Sequence, residues 1–401
     1  MLKRHAALAR TFGALALAAA ALSATTPAAF AQDAAKEPIK IGMPMALTGV
    51  LAAVGQQAAA GAKLYVALHG DTVAGRKIEL MIRDDGSIPD NSRRIAQEMI
   101  VNDHASIITA GLTPNALAIA PVLTQAKIPG VIMVSGTSIV TEKSPYYVRT
   151  SWPLGQHSLA IATWAAKNGS KRVAVIQSDW APGDEAAKVF IDTFKAAGGE
   201  IISADKVPLQ NPDFSAFLQR AVDNKPDTLF VYVPAGQAAV FARQFVERGL
   251  AKEGIKLIGT GDITDDQDLP TMGDTMLGTV TAGFHSVTHN SPTNKAFVEA
   301  FRKANPNLKP NFIAVAGYDG MQAIYKALEK TGGKADGDSI MAALKGLQWE
   351  SPRGPAMIDP ETRDIVHNIY IRRVEKIDGV LRNTEFETVP MVKDPSHKPA
   401  S

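Results

Sequence analysis

The sequence predicts an α/β protein built from two doubly wound lobes, and three observations carry that prediction. Short β-branched strands alternate with helices of 10–17 residues along most of the chain, the pattern of parallel sheets covered on both faces. The alternation starts afresh after Tyr146–Thr150, and a chain of 401 residues exceeds what one core usually supports. The last third then breaks the rhythm, so each lobe is expected to take closing elements from it and the chain to cross between lobes more than once, as at a hinge. The expected boundaries are 38–150 plus 285–350 for lobe 1 and 151–284 plus 351–390 for lobe 2.

In the first unit, Ile39–Ile41 reads as a strand and Ala52–Leu68 as a helix rich in small residues. Lys77–Arg83 alternates as a strand, and Asn91–Val101 carries apolar residues at helical spacing. Ala105–Ala110, Asn115–Gln125 and Gly130–Val134 follow as strand, helix and strand. The second unit repeats the scheme: helix Gly155–Lys167, strand Arg172–Ile176, helix Glu185–Ala197, and further alternation through Ile255–Ile258. Helices near 292–303 and 312–330 and a paired-strand segment around Met357 and Val366–Val374 close the chain. The Pro-rich segment 391–401 is expected to be disordered.

Residues 1–31 read as an export signal. Lys3, Arg4 and Arg10 precede an apolar run from Phe12 to Leu22, and Ala29–Ala31 supplies the small-x-small cleavage pattern. The run is shorter than the roughly 20 apolar residues a bilayer span needs. The sequence has no cysteine, which excludes disulfides, thiolate chemistry and a lipid carried on a cleavage-site cysteine. A freely diffusing periplasmic protein is the expectation. Without the three basic signal residues, Lys+Arg falls from 42 to 39 against 40 acids, a formal charge of −1. Dispersed, near-neutral charge leaves no footprint for nucleic acid or anionic lipid.

Ile39–Gly49 with Gly55 and Gly61, Asp84-Asp85, Ile128-Pro129, Ser178–Trp180 with Gly183, Tyr318–Gly320 and Ser351–Pro355 occur in an order and spacing that resemble the leucine/isoleucine/valine-binding family of periplasmic proteins. The resemblance covers about residues 38–390. It implies a type I periplasmic binding fold: two Rossmann-like lobes joined by three crossovers, with ligand in the cleft. It also implies a partner ABC-importer permease in the inner membrane, a small carboxylate ligand, no cofactor and a monomer. Family members serve branched-chain or other amino acids, and some relatives bind aromatic acids, amides or urea.

In doubly wound sheets, ligands sit beyond the carboxyl ends of the strands. In lobe 1 those loops are Gly111–Asn115 and Ser135–Thr137, where hydroxyls and free N–H groups form a natural carboxylate cradle. The resemblance carries that role to Thr113, Ser135 through its backbone, Gly136 and Thr137. Thr113 before Pro114 is equally a good helix N-cap. In lobe 2 the family places an aromatic that closes over the ligand where Trp180 stands. Pro234 and Ala235 stand where leucine-type members carry tyrosines, which leaves more room and one phenol fewer. Amino-acid binders hold the ammonium with an acid near Asp262, although Asp262 is also placed to cap a short helix. An Asp262 facing the cleft favours an amine-bearing ligand; one facing away favours an aromatic or aliphatic acid. Arg149 and Arg353 lie near the crossovers, with hinge packing or an interlobe ion pair ahead of carboxylate contact. Tyr318 is a candidate for cleft lining or for helix-start packing.

Enzyme signatures are missing. There is no Gly-x-Ser-x-Gly elbow, no Walker loop and no Gly-x-Gly-x-x-Gly opening a βα turn. His285 and His289 have a metal-ligand spacing but no accompanying acid motif, and the strand-like stretch before them argues against a shared helical face. A periplasmic hydrolase or a ligand-sensing regulator subunit is the competing class, separated from a binding protein by whether a bound molecule is consumed.

Overall fold

A computed structural model describes residues 37–397; the segment read as an export signal lies outside them. Its first sheet contains β1 (Ile39–Met45), β2 (Thr72–Val73), β3 (Arg76–Asp84), β4 (Ile107–Ala110), β5 (Gly130–Ile132) and β6 (Tyr147–Arg149), in the order β2-β3-β1-β4-β5-β6. All neighbours pair in parallel except β2 with β3. Helices α1 (Ala52–His69), α2 (Pro89–Val101) and α3 (Thr113–Ala126) connect them. Residues on β1 and β4 are almost all buried, which is why these strands read as largely apolar, with Lys40 the one charged residue.

The second sheet begins after α4 (Leu154–Lys167). It holds β7 (Arg172–Asp179), β8 (Glu200–Pro208), β9 (Thr228–Tyr232), β10 (Lys256–Thr260) and β11 (Val280–Gly283), with α5 (Ala181–Ala196), α6 (Ser215–Asp223) and α7 (Ala238–Glu247) between strands. The strands β8-β7-β9-β10-β11 run parallel. In both sheets the order reverses beside the first strand of the unit, between β1 and β4 and between β7 and β9. Loops from those strand ends face each other across the interlobe space, the crevice such sheets use for ligands.

The chain then returns to the first sheet with α8 (Pro292–Ala304), α9 (Phe312–Lys330) and α10 (Gly337–Leu344). Helix α9 lies tightly on α1. A Cβ at Gly61 would stand 1.9 Å from the Ala314 carbonyl oxygen, and one at Gly317 would stand 2.1 Å from that of Ala58. Only a residue without a side chain permits this backbone approach. Finally β12 (Gln348–Ser351), β13 (Gly354–Ile358), β14 (Ile365–Ile377) and β15 (Val380–Val392) extend the second sheet in antiparallel pairs. Three passages therefore join the lobes, near 150–153, 284–291 and 345–347. The last lies slightly before the expected break at 350, because β12 already belongs to the second sheet.

Disorder from 391 onward was the expectation, and the described part of that segment contradicts it. Strand β15 continues to Val392, Val392 and Asp394 are buried, and Pro395 and Ser396 pack against Gly155. Pairing with β14 supplies the order that composition alone does not suggest.

Buried ion pairs fix the passages. The Arg149 Nε lies 2.6 Å from Asp364 Oδ1, and the Arg353 Nε lies 2.7 Å from Asp319 Oδ2, with all four side chains essentially inaccessible. The Arg353 guanidinium also donates to the carbonyls of Thr150 and Ser151 and stacks 4.0 Å above the Phe284 ring. Arg353 thus ties the third passage to the first. Among the described residues, no helix is long and apolar enough to cross a membrane.

Candidate functional site

A cavity lies between the lobes, bounded by the strand-end loops described above. From the first lobe, Thr113, Ser135 and Gly136 line it. Thr113 Oγ1 lies 2.8 Å from Ser135 Oγ and 3.0 Å from Thr137 Oγ1, so three hydroxyls form one buried cluster. Thr137 itself does not line the cavity; it supports Thr113 from behind. The N–H groups of Ser135 and Gly136 have no hydrogen-bond partner among the described residues. Unpaired amides beside a hydroxyl cluster are suited to an anionic group.

The capping role considered for Thr113 is not found. Helix α3 begins at Thr113 itself, with Leu112 at the cap position, and the hydroxyl is committed to Ser135 and Thr137 instead. Arg149 sits behind the cradle, donating to the carbonyls of Ser135 (3.1 Å), Thr137 (2.7 Å) and Ser138 (3.3 Å). Those bonds turn the loop's carbonyls away from the cavity. Arg149 and Arg353 do not line the cavity, and their charges are answered by Asp364 and Asp319.

From the second lobe come Trp180, Pro234, Ala235 and Asp262. Trp180 follows β7 and precedes α5, and its indole Nε1 is buried without a partner among the described residues. Asp262 follows β10 and is nearly inaccessible. Its Oδ2 accepts a 2.8 Å hydrogen bond from Thr260 Oγ1, so its carboxylate turns back to the strand end and does not cap the short helical turn 261–264. Burial pushes its carboxyl up to about 6, against the lowering effect of the Thr260 bond and the nearby Arg372 charge.

Sequence reasoning missed much of the apolar lining. Leu51, Val54, Trp152 and Ile313 come from the first lobe and the passages, and Tyr232 is the last residue of β9. The phenol thought lost at Pro234-Ala235 is therefore supplied two residues earlier. Burial drives the Tyr232 hydroxyl well above its usual range, so it is neutral. Tyr232 was legible as the inward end of a strand; Trp152 and Ile313 carry no local signal. Tyr318 was a candidate for cleft lining, and the structure excludes it. Its ring packs edge-on against Tyr65 and Phe297, away from the cavity.

His285 and His289 do not share a site. The ring of His285 bonds Asn294 at 2.8 Å and that of His289 bonds Glu385 at 2.7 Å. The lobes touch around the cavity: Gln57 Nε2 donates to Gln267 Oε1 at 3.1 Å, Asn311 donates to Asp265 at 2.9 Å, and Ser138 N–H donates to Glu185 at 2.9 Å.

Comparison with known proteins agrees with this architecture. The model of a family described as periplasmic binding protein matches residues 38–379. The chain is 57% identical, with a TM-score of 0.88, to a solute binding protein of an ABC transporter from Rhodopseudomonas palustris BisB5 solved with 3,4-dihydroxybenzoic acid; 89% of this chain and 99% of that one are covered. A solute binding protein from Rhodopseudomonas palustris HaA2 solved with p-hydroxybenzoic acid is 41% identical, with a TM-score of 0.86 and coverage of 89% and 98%. Leu/Ile/Val-binding protein homolog 6 of Brucella melitensis is 40% identical over 366 residues, 90% of this chain and 94% of that protein. With the fold, the three passages and the matched span in agreement, this chain belongs to the periplasmic binding protein family.

Proposed function

We propose that this protein is the periplasmic solute-binding component of an ABC importer and that its ligand is a hydroxylated aromatic carboxylate. The carrying observation is the cavity's distribution of polarity. A hydroxyl and amide cradle on one lobe and a lone acid on the other are separated by walls of Trp152, Trp180, Tyr232 and aliphatic side chains. Such walls suit a flat ring, with its carboxylate at the cradle and a ring hydroxyl donating to Asp262. The ligands of the two Rhodopseudomonas relatives support this choice.

The position of Asp262 also favours a second reading, an α-amino acid whose ammonium meets that carboxylate. The name of the Brucella relative agrees with it. Two features weigh against it. Asp262 is held partly toward neutrality by burial, and a single acid in an otherwise apolar lobe leaves the remaining ammonium protons without acceptors.

In either case the role is capture, with closure arising because ligand binds the closed arrangement better than the open one. Micromolar capture corresponds to about −8 kcal/mol. Thermal unfolding and calorimetry with 4-hydroxybenzoate, 3,4-dihydroxybenzoate, benzoate, leucine and phenylalanine test the assignment. Hydroxybenzoates are expected to raise the melting temperature and to be recovered unchanged. Stabilisation by leucine or phenylalanine but by none of the benzoates overturns it in favour of the amino-acid reading.

A further inference from the structure

We propose that Asp364, Asp394 and His397 form a binding site for a divalent transition-metal ion, zinc or manganese, which fastens the C-terminal segment over the hinge. The donor atoms of these three residues lie within 4.8 Å of one another. Asp364, in the loop before β14, is fully buried; its Oδ1 faces Arg149 and its Oδ2 accepts from Thr141 Oγ1 at 3.0 Å.

Asp394 is the second and decisive observation. It is only 8% exposed, its Oδ1 accepts the Ser396 N–H at 2.9 Å, and its Oδ2 is shielded from solvent without a partner among the described residues. The cations around it are otherwise engaged. Arg149 is matched by Asp364, Lys393 lies 2.8 Å from Asp359, and Arg363 donates to the carbonyls of Ser144 and Thr141. A buried carboxylate without its own counter-charge is costly and calls for a cation.

His397 completes the set. Its Nδ1 stands 3.8 Å from Asp364 Oδ2 and 3.7 Å from Glu142 Oε1, too far for hydrogen bonds and without a partner among the described residues. Donors bound to one ion at about 2.0–2.2 Å lie roughly 3–4 Å apart, and the 3.8 Å between His397 Nδ1 and Asp364 Oδ2 falls in that range. Two carboxylates and an imidazole suit zinc or manganese. Calcium takes oxygen donors almost exclusively. Thr141, in the helical turn 138–143 of the first lobe, donates to Asp364, so the ion fastens the segment after β15 to a carboxylate that already meets the first lobe.

The test uses the purified protein stripped of metal with a chelator. Zinc, manganese and calcium are then titrated by calorimetry and by thermal unfolding. Zinc or manganese is expected to bind at one equivalent and to raise the melting temperature. Asp394→Asn and His397→Ala should each weaken binding by at least about tenfold. Far-UV circular dichroism and the melting temperature in chelator establish that both variants fold. The proposal is overturned if neither zinc nor manganese binds, if calcium alone binds, or if both folded variants bind as the parent does.

Discussion

The two lobes meet the cavity with opposite chemistry. The first presents a three-hydroxyl cluster and unpaired backbone amides among aliphatic side chains, all electrically neutral, with the Arg149 charge placed behind the loop. The second presents bulk and a charge of its own: Trp180, Tyr232 and the buried Asp262. A cradle of backbone N–H groups recognises an anion through loop geometry and is indifferent to the rest of the molecule. A wall of large side chains reads what the first lobe ignores. The common group of the ligand is therefore assigned to lobe 1 and its identity to lobe 2.

If loop geometry is what lobe 1 contributes, the largest effect belongs to the residue that enforces it. Arg149→Met leaves Asp364 without its partner and frees the carbonyls of Ser135, Thr137 and Ser138. Breaking a buried pair from one side costs about 3–5 kcal/mol. Chemical denaturation should register that loss, and ligand affinity should fall although Arg149 never touches the cavity. Unchanged affinity in a folded variant would mean the loop needs no support from behind. Next in size is the cradle itself. Thr113→Ala combined with Thr137→Ala removes two of the three hydroxyls, a loss of about 2–3 kcal/mol or roughly 30- to 150-fold in Kd. The loss should be similar for every aromatic acid tested, because the cradle sees only the carboxylate.

Lobe 2 predicts the reverse pattern. Trp180→Ala should weaken ring-bearing ligands by about 2 kcal/mol, roughly 30-fold, through lost apolar burial. Trp180→Phe should recover most of that. A uniform penalty across ligands of different ring substitution would erase the proposed division of labour between the lobes.

The sheet framework was legible because the central strands of both lobes are parallel and covered on both faces, so β1, β4 and β7 carry largely apolar cores between the helices. Strand-end loops followed from that framework, and the family resemblance singled out Thr113, Ser135, Gly136, Trp180 and Asp262 within them. Residues reaching the cavity from the passages were not legible, since Trp152 and Ile313 owe their position to how the lobes pack. The long hairpin of β14 and β15 was only half recognised, although it carried a signal. Asp378-Gly379 joins the two strands with both residues at positive φ, 49° and 77°, the two-residue turn such dipeptides favour. Polar alternation on β15 disguised a strand whose partner, not its composition, orders it. Arg149, Arg353 and Tyr318 show the complementary case: side chains able to bind a ligand are committed elsewhere, the two arginines to the ion pairs that ranked ahead of ligand contact and Tyr318 to an aromatic cluster.

The smallest expected effect separates the lobes by pH. Burial raises the Asp262 carboxyl from 3.8 to about 6, while no charged side chain of lobe 1 lines the cavity. An acid whose folded value lies above its unfolded value binds protons more readily in the folded state. Asp262 therefore destabilises the ligand-free protein above about pH 6, and that penalty fades as the pH falls from 6 toward 3.8. The full shift corresponds to about 3 kcal/mol. Asp262→Asn keeps an acceptor for Thr260 but buries an amide needing partners of its own, which reduces the net gain to about 1 kcal/mol. At pH 7.5 the ligand-free variant should melt higher than the parent, and the two curves should cross near about pH 5.3, where the Asp262 penalty equals that of the buried amide. With 4-hydroxybenzoate bound the order should invert, because an ionised Asp262 accepts the ring hydroxyl more strongly than an amide does. Benzoate, lacking that hydroxyl, should show no inversion. If benzoate and 4-hydroxybenzoate respond alike, Asp262 does not read the ring substituent, and specificity in lobe 2 rests on the shape of its aromatic wall alone.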